Sequence, residues 1–387
     1  MSKTPVWHCF SAPGRICLYG EHQDYLGLTV VPTAINLRTI IGLKSIPEKK
    51  VIAQSLDLNI KDSFKLQKSI QFKNNAFDYL RAIIKVLLAE ELGTKLPGFK
   101  VKIKSSVPIG SGLSSSAALL VAWLTALNEQ WNLKLSKQEI ALLSFKAENQ
   151  ELGVNCGIMD QYASSLGGIF ALDCYGPPFE INRFNKMLDG LIIGDSLIQR
   201  AANEPLTLLK GRFFSGQTKL KKNYGYDLQT LTEKQLEKAK TILSKQEEMI
   251  ISGGIKIRDI TKEACLELDK NSWDLCHLGE LLTEQHIVLR DLLKVSIPKL
   301  DQLVRVAIEA GAYGAKLSGA GFGGCIVALA PGREEEVTTA IQAAGGKAII
   351  CKTDEGGRKE ETCFWEKDEV SLNGGGYSPT KDSSFIV

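Results

Sequence analysis

The sequence predicts an α+β fold. Strand-like runs and helical patterns are mixed, without the regular βαβ alternation of a doubly wound sheet. The 387 residues are enough for two domains or one large one. With 44% apolar and 24% charged residues the composition is that of an ordinary globular protein, which excludes wholesale disorder, a collagen-like fibre and a disulfide miniprotein.

Residues 12–44 read as strands around a turn. The apolar run Ile16–Tyr19 meets the polar Gly20-Glu21-His22-Gln23-Asp24-Tyr25, and strand character resumes at Thr29-Val30-Val31. Residues 77–91 place apolar side chains at 80, 83, 84, 87 and 88, the spacing of a helix face. Phe99–Lys104 alternates strictly, as a half-buried strand does. A Gly/Ser loop at 110–116 opens a helix over Ala117–Gln130, and residues 136–150 form another amphipathic helix. Ile169–Leu172 and Leu191–Ile193 are strand-like. Residues 200–260 are rich in Lys, Glu and Gln and helical in pattern, and 278–310 read as two helices broken at Ser296-Ile297-Pro298. The Gly-rich Ser318–Gly324 precedes a strand at Cys325–Ala330. From Leu372 onward the chain has no periodicity and reads as a flexible tail.

Lys and Arg total 47 against 44 Asp and Glu, a net charge of +3 with no basic block, so nucleic acid is not an expected partner. No apolar run is long enough for a membrane span. Met1–Phe10 lacks a secretory core, so a cytoplasmic location is expected. The nine cysteines include no C-x-x-C pair and only four histidines accompany them, which argues against zinc. They are expected to be reduced and mostly buried.

Four segments carry chemistry. Pro108–Ala118 (PIGSGLSSSAA) combines two glycines for close backbone approach with a run of serines and an immediate helix start. Its open N–H groups suit an anion, phosphate above all. An apolar strand before it and an apolar helix after it make a plain linker a poor reading. Neither a Walker A loop nor a Rossmann fingerprint is present. In Cys156-Gly157-Ile158-Met159-Asp160-Gln161 an acid flanked by glycine and apolar residues could serve as a base or a metal ligand, or be a turn aspartate. Glu21-His22-Gln23-Asp24 gathers donors and acceptors of the kind that recognise a polyol. Ser318–Gly324 is a second backbone-anion loop or a tight strand entry.

Together these segments resemble the GHMP kinase superfamily, and within it the galactokinase family. The resemblance rests on Gly14–Tyr25 (GRICLYGEHQDY), the loop Pro108–Ala117, the acid motif Gly157–Gln161 and Gly314–Cys325 (GAKLSGAGFGGC). His286–Asp291 and Leu300–Val304 also fit. It runs from about residue 9 to 332, patchily between 200 and 275. It implies an N-terminal domain of mixed sheet and helices related to a ribosomal-protein-like fold, over residues 1–195. A ferredoxin-like C-terminal domain follows over 196–370, and a tail over 371–387.

The resemblance also implies roles. Asp160 falls where the family has its catalytic base, and Arg15 where an arginine keeps that acid ionised and stabilises phosphoryl charge. Glu21, His22, Gln23, Asp24 and Gly157 fall at the sugar site. Gly110, Ser111, Gly112, Leu113, Ser114, Ser115 and Ser116 would surround the phosphates of ATP, with Ser116 and Glu148 holding Mg²⁺. The implied reaction is phosphorylation of the anomeric hydroxyl of galactose. A sibling kinase for a uronic acid, another sugar or mevalonate, and a catalytically dead sugar and ATP sensor, are the alternatives. The sequence departs from the galactokinase pattern at Gln23 and Leu26, where that family has Thr and Asn. It also has no sugar-contacting tyrosine in Arg200–Lys210, and Asp195-Ser196 with Arg200 is faintly similar to mevalonate kinase there. Adenine contacts are expected within 54–80. No oligomeric state is implied.

Overall fold

Two sheets, each faced by its own helices, are joined by the chain passing between them. The computed structural model describes residues 6–67, 69–92, 97–199, 204–363 and 365. Its strands are β1 (His8–Tyr19), β2 (Val31–Ile46), β3 (Lys50–Ser55), β4 (Ile60–Lys65), β5 (Gly98–Ser105), β6 (Ile169–Asp173), β7 (Glu180–Phe184), β8 (Leu191–Asp195), β9 (Gly314–Ser318), β10 (Cys325–Leu329), β11 (Lys347–Cys351) and β12 (Arg358–Lys359). Its helices are α1 (Asp78–Ala89), α2 (Ser115–Trp131), α3 (Lys137–Lys146), α4 (Met159–Leu166), α5 (Glu204–Tyr224), α6 (Glu233–Ala239), α7 (Lys245–Leu268), α8 (Leu275–Asp291), α9 (Pro298–Glu309) and α10 (Glu334–Ala343).

The first sheet runs β12-β1-β2-β5-β3-β4, with β6 attached to β2 and β7 to β6. Among the described residues only β3 and β5 of this sheet pair in parallel. Its alternating apolar residues, such as Phe10, Ile41, Leu43, Val101 and Ile103, pack on Leu80, Ile83 and Leu87 of α1 and on Leu120, Trp123 and Leu127 of α2. Helix α2 is apolar nearly all round, as a helix buried at the centre of a layer must be. The second sheet is antiparallel throughout, in the order β11-β8-β10-β9. Ile192 and Ile326 share its core with Phe213 of α5, Ile250 and Ile251 of α7, Leu289 of α8 and Leu303 of α9.

The expected helices and strands are present, and three expectations need correction. The helix expected at 136–150 is α3, begun by a Ser136–Glu139 capping box, followed by a π-helical turn over Ala147–Glu151. Such a turn inserts one residue into the helical ladder and is frequent at functional sites. The boundary at 195 divides the sequence differently from the sheets. Leu191–Asp195 is a central strand of the second sheet, and Arg358–Lys359 returns to the edge of the first. The cysteines are not all reduced, because Cys9 and Cys363 form a disulfide. Of the free thiols Cys276 is exposed, Cys156 and Cys265 are half-buried, and Cys17, Cys174, Cys325 and Cys351 are buried. Strands β3, β4, β7, β9, β11 and β12 and helix α10 were not expected from the sequence. Arg200 and the tail from Leu372 lie outside the described residues.

Candidate active site

Strand β1 delivers Arg15 to the junction of the two layers. A register irregularity lies between Pro13 and Arg15. A Cβ on Gly14 would stand 2.7 Å from the Leu113 carbonyl oxygen, so glycine lets β1 lie against the Gly/Ser loop. Arg15 N–H then donates to that carbonyl at 3.1 Å. The Arg15 side chain is buried. Its Nε and Nη2 reach Asp160 Oδ1 at 2.8 and 2.7 Å, and Nη1 donates to the Gly112 carbonyl at 2.6 Å. Burial opposes the guanidinium charge, but Asp160 outweighs it and leaves the Arg15 pKa raised. Asp160 sits in the first turn of α4, and its Oδ2 accepts a bond from Ser114 Oγ at 2.6 Å.

That last bond shapes the loop. Gly110 and Gly112 take φ of 73° and 83°, and Ser114, immediately before α2, takes φ of 60°. Left-handed backbone is natural for the glycines and costs a serine on the order of 1–2 kcal/mol. Ser114 makes no capping bond, because its hydroxyl is directed to Asp160. The first N–H groups of α2 therefore lack that internal cap, the arrangement in which a helix start receives phosphate. Ser111 Oγ donates to Pro108 O and Leu113 is buried, so these two offer backbone rather than side chain.

Glu148 lies on the π turn and is buried. Its Oε2 accepts from Gln161 Nε2 at 2.6 Å. Burial, reinforced by the Asp160 charge, pushes its pKa up to about 7, although hydrogen bonds from Ser116 and Gln161 work the other way. Among the described residues no cluster of three or more His, Cys, Asp or Glu could hold a metal by itself.

Asp24 lies close enough to Asp160 to feel its charge. Burial and the Asp160 charge raise its pKa, while Tyr25 N–H, Lys210 and Arg15 oppose the rise. A Cβ on Gly157 would lie 1.5 Å from Asp24 Oδ2, so the absence of a side chain at 157 is what makes room for this carboxylate. His22 takes φ of 64°, and its Nδ1 is 3.0 Å from Tyr25 Oη.

Three family models match the chain: "GHMP kinases N terminal domain" over residues 78–168, "GHMP kinases C terminal" over 270–347 and "Galactokinase galactose-binding signature" over 2–45. A galactokinase of Pyrococcus furiosus is 35% identical over 85% of this chain and 89% of its own. A galactokinase of Thermococcus kodakarensis is 34% identical over 82% and 88%.

The chain belongs to the galactokinase family of GHMP kinases.

The same likeness extends to the fold. A solved galactokinase of Lactococcus lactis, complexed with galactose, is 26% identical, with a TM-score of 0.82 over 92% of this kinase and 95% of that chain. Among the described residues no helix is long and apolar enough to cross a membrane.

The kinase brings together Arg15, Asp160, Gly112 and Ser114, then Ser116 with Glu148, then Asp24 with Gly157. Two expected sugar contacts are engaged elsewhere. Glu21 is buried, with Oε1 accepting from Gly319 N–H at 2.7 Å and Oε2 paired with Lys316 Nζ. Lys316 is fully buried and also donates to Cys17 O at 2.9 Å, so this ion pair clamps the first motif to the Gly-rich segment Ser318–Gly324. Gln23 has no exposed surface and directs Nε2 toward the Gly254 carbonyl of α7 at 3.4 Å. Leu26, the other departure, is buried in the second core near Phe213 and Leu228. Sequence reasoning missed Lys316, Gln161, Asn155 and Lys210. A lysine inside an otherwise apolar strand, as in Gly314-Ala315-Lys316-Leu317, was the available signal for the first of these.

Proposed function

We propose that this kinase transfers the γ-phosphoryl group of ATP to the anomeric hydroxyl of galactose, giving galactose 1-phosphate and ADP. The observation that supports this is the Arg15–Asp160 pair, joined through Ser114 to the open start of α2 and close enough to Asp24 for their charges to interact. The helix start suits the triphosphate and Asp24 a sugar. The backbone of Gly110–Ser116 receives the phosphates. Asp24 and His22 orient sugar hydroxyls. Asp160 accepts the anomeric proton as the hydroxyl oxygen attacks phosphorus, and Arg15 compensates the charge that develops beside it. Rate enhancement comes from alignment and charge stabilisation.

Ser116 and Glu148 supply hard oxygen donors at the phosphate side, and a buried carboxylate that forms no ion pair among the described residues fits a divalent cation. Two protein oxygens are enough for Mg²⁺, which takes the rest of its shell from phosphate and water. Bound there, Mg²⁺ would neutralise phosphate charge. ATP dependence and seven free cysteines fit a cytoplasmic enzyme, whereas the Cys9–Cys363 disulfide is a feature that a reducing compartment disfavours.

Replacing Asp160 by Ala tests the assignment. Turnover of galactose should fall about 10²–10⁴-fold, the usual contribution of a general base, while ATP binding persists. Unchanged turnover would remove Asp160 from the mechanism.

A further inference from the structure

Lys210 enters the sugar side of the site from α5, the segment where the galactokinase pattern expects a tyrosine. It is 8% exposed. Its Nζ donates to Asn155 Oδ1 at 2.7 Å and lies 4.5 Å from the centroid of the Tyr25 ring. Asn155 Nδ2 in turn reaches Thr207 Oγ1 of α5 at 3.5 Å, so the lysine is held across the seam between α5 and the segment leading to Asp160. Among the described residues Lys210 forms no ion pair within 4 Å. It nonetheless lies close enough to Asp24 for each charge to favour the other. An ammonium group carries three donors, and burying it against one neutral amide is unfavourable unless something else meets the other two. Asp24 is an acceptor on the same side of the site, and Gly157 keeps the space around it clear.

We propose that Lys210 is a sugar-binding residue that works with Asp24 as a donor–acceptor clamp on two adjacent hydroxyls of the hexose. Asp24 accepts from one hydroxyl, and Lys210 donates to the oxygen of its neighbour. Lys210 also sets the charge of the pocket. Arg15 and Lys210 balance Asp160 and Asp24, which suits a neutral sugar, whereas a hexuronate would add an uncompensated negative charge. This rests on the galactose-phosphorylating reading above and assigns a specificity-determining residue within it.

The test is steady-state kinetics of the wild type, Lys210→Met and Lys210→Arg with saturating Mg-ATP. The sugars are galactose, its 2-, 3- and 4-deoxy analogues, and galacturonate. Methionine keeps an unbranched apolar stem and removes the charged donor together with its contact to the Tyr25 ring. Lys210→Met should raise KM for galactose about 10–150-fold, the range for a hydrogen bond to a charged group, with kcat changed less than about threefold. Lys210→Arg should recover part of the loss. One deoxy sugar should lose about tenfold or more in kcat/KM with the wild type and less than about threefold further with Lys210→Met, identifying the gripped hydroxyl. Wild-type KM in Lys210→Met, or equal proportional losses on every deoxy sugar in both proteins, would overturn the clamp alone. Preference of the wild type for galacturonate would overturn the neutral-pocket argument. A wild type that turns over no sugar would overturn the functional reading, and the clamp with it. Asn155→Ala, which frees the lysine without removing it, should raise KM by a smaller factor, and it carries the test if Lys210→Met does not fold.

Discussion

Adding one methyl group at Gly157 should weaken sugar binding without unfolding the protein. The new Cβ would fall 1.5 Å from Asp24 Oδ2 and 2.3 Å from its Cγ, far inside any van der Waals contact. Gly157 is not a left-handed residue, so alanine brings no backbone strain there. The colliding atoms are the end of a side chain that can rotate away. Stability should therefore change by less than about 1 kcal/mol, while Asp24 leaves its place in the site. Losing a hydrogen bond between a sugar hydroxyl and a carboxylate costs about 1.5–3 kcal/mol, or about 10–150-fold in affinity. The assay is a double-mutant cycle on KM for galactose with Gly157→Ala, Asp24→Ala and the pair, with thermal midpoints measured alongside. If alanine at 157 acts through Asp24, the double variant matches Asp24→Ala alone. Independent, multiplicative effects would refute the reasoning, as would a Gly157→Ala protein with wild-type KM.

Three further outcomes follow from other parts of the molecule. Lys316→Met strands the buried Glu21 carboxylate and should destabilise the fold by about 3–5 kcal/mol by chemical denaturation. Combining it with Glu21→Gln should restore part of that loss, and a neutral single variant would contradict the clamp role. Burial, only partly offset by Asp301, lowers the His286 pKa from 6.5 to about 4, and Nδ1 accepts from Leu317 N–H at 3.3 Å. The unfolded chain therefore protonates first, so this contribution is present above pH 6.5 and lost as pH falls toward 4. His286→Gln should flatten stability across that window, and an unchanged slope would count against it. The Cys9–Cys363 disulfide closes a sequence separation of 354 residues. Its reduction or Cys363→Ser should lower stability by about 2–4 kcal/mol, and thiol titration should find seven free cysteines before reduction.

Local features of the site were legible in the sequence because their chemistry is local. Glycines at 110 and 112, serines before an apolar helix, and an acid at the head of α4 each state a backbone requirement within a few residues. Gln23 and Leu26 were legible as departures, but not their meaning. Leu26 fills the core of the second layer, and Gln23 turns to α7, so both answer to residues some 200 positions away. Glu21 looked like a sugar ligand because nothing nearby in sequence shows that Lys316 and the Gly319 N–H occupy its oxygens. Lys210 was similarly silent, since only folding sets α5 beside Asn155 and Tyr25. Strands β3 and β4 are short and partly exposed, which gives a weak pattern, and β8 shows its own apolar run but not which sheet it joins.

The measurement closest to the central claim is the identity of the product. Wild-type protein would be incubated with Mg-ATP and galactose and the sugar phosphate read by phosphorus and proton NMR. ADP and galactose 1-phosphate should form in equal amounts, with phosphorus coupled to the anomeric proton and formation about 10²–10⁴-fold slower with Asp160→Ala. Phosphate on any other hydroxyl, or ADP release without a phosphorylated sugar, would contradict that claim.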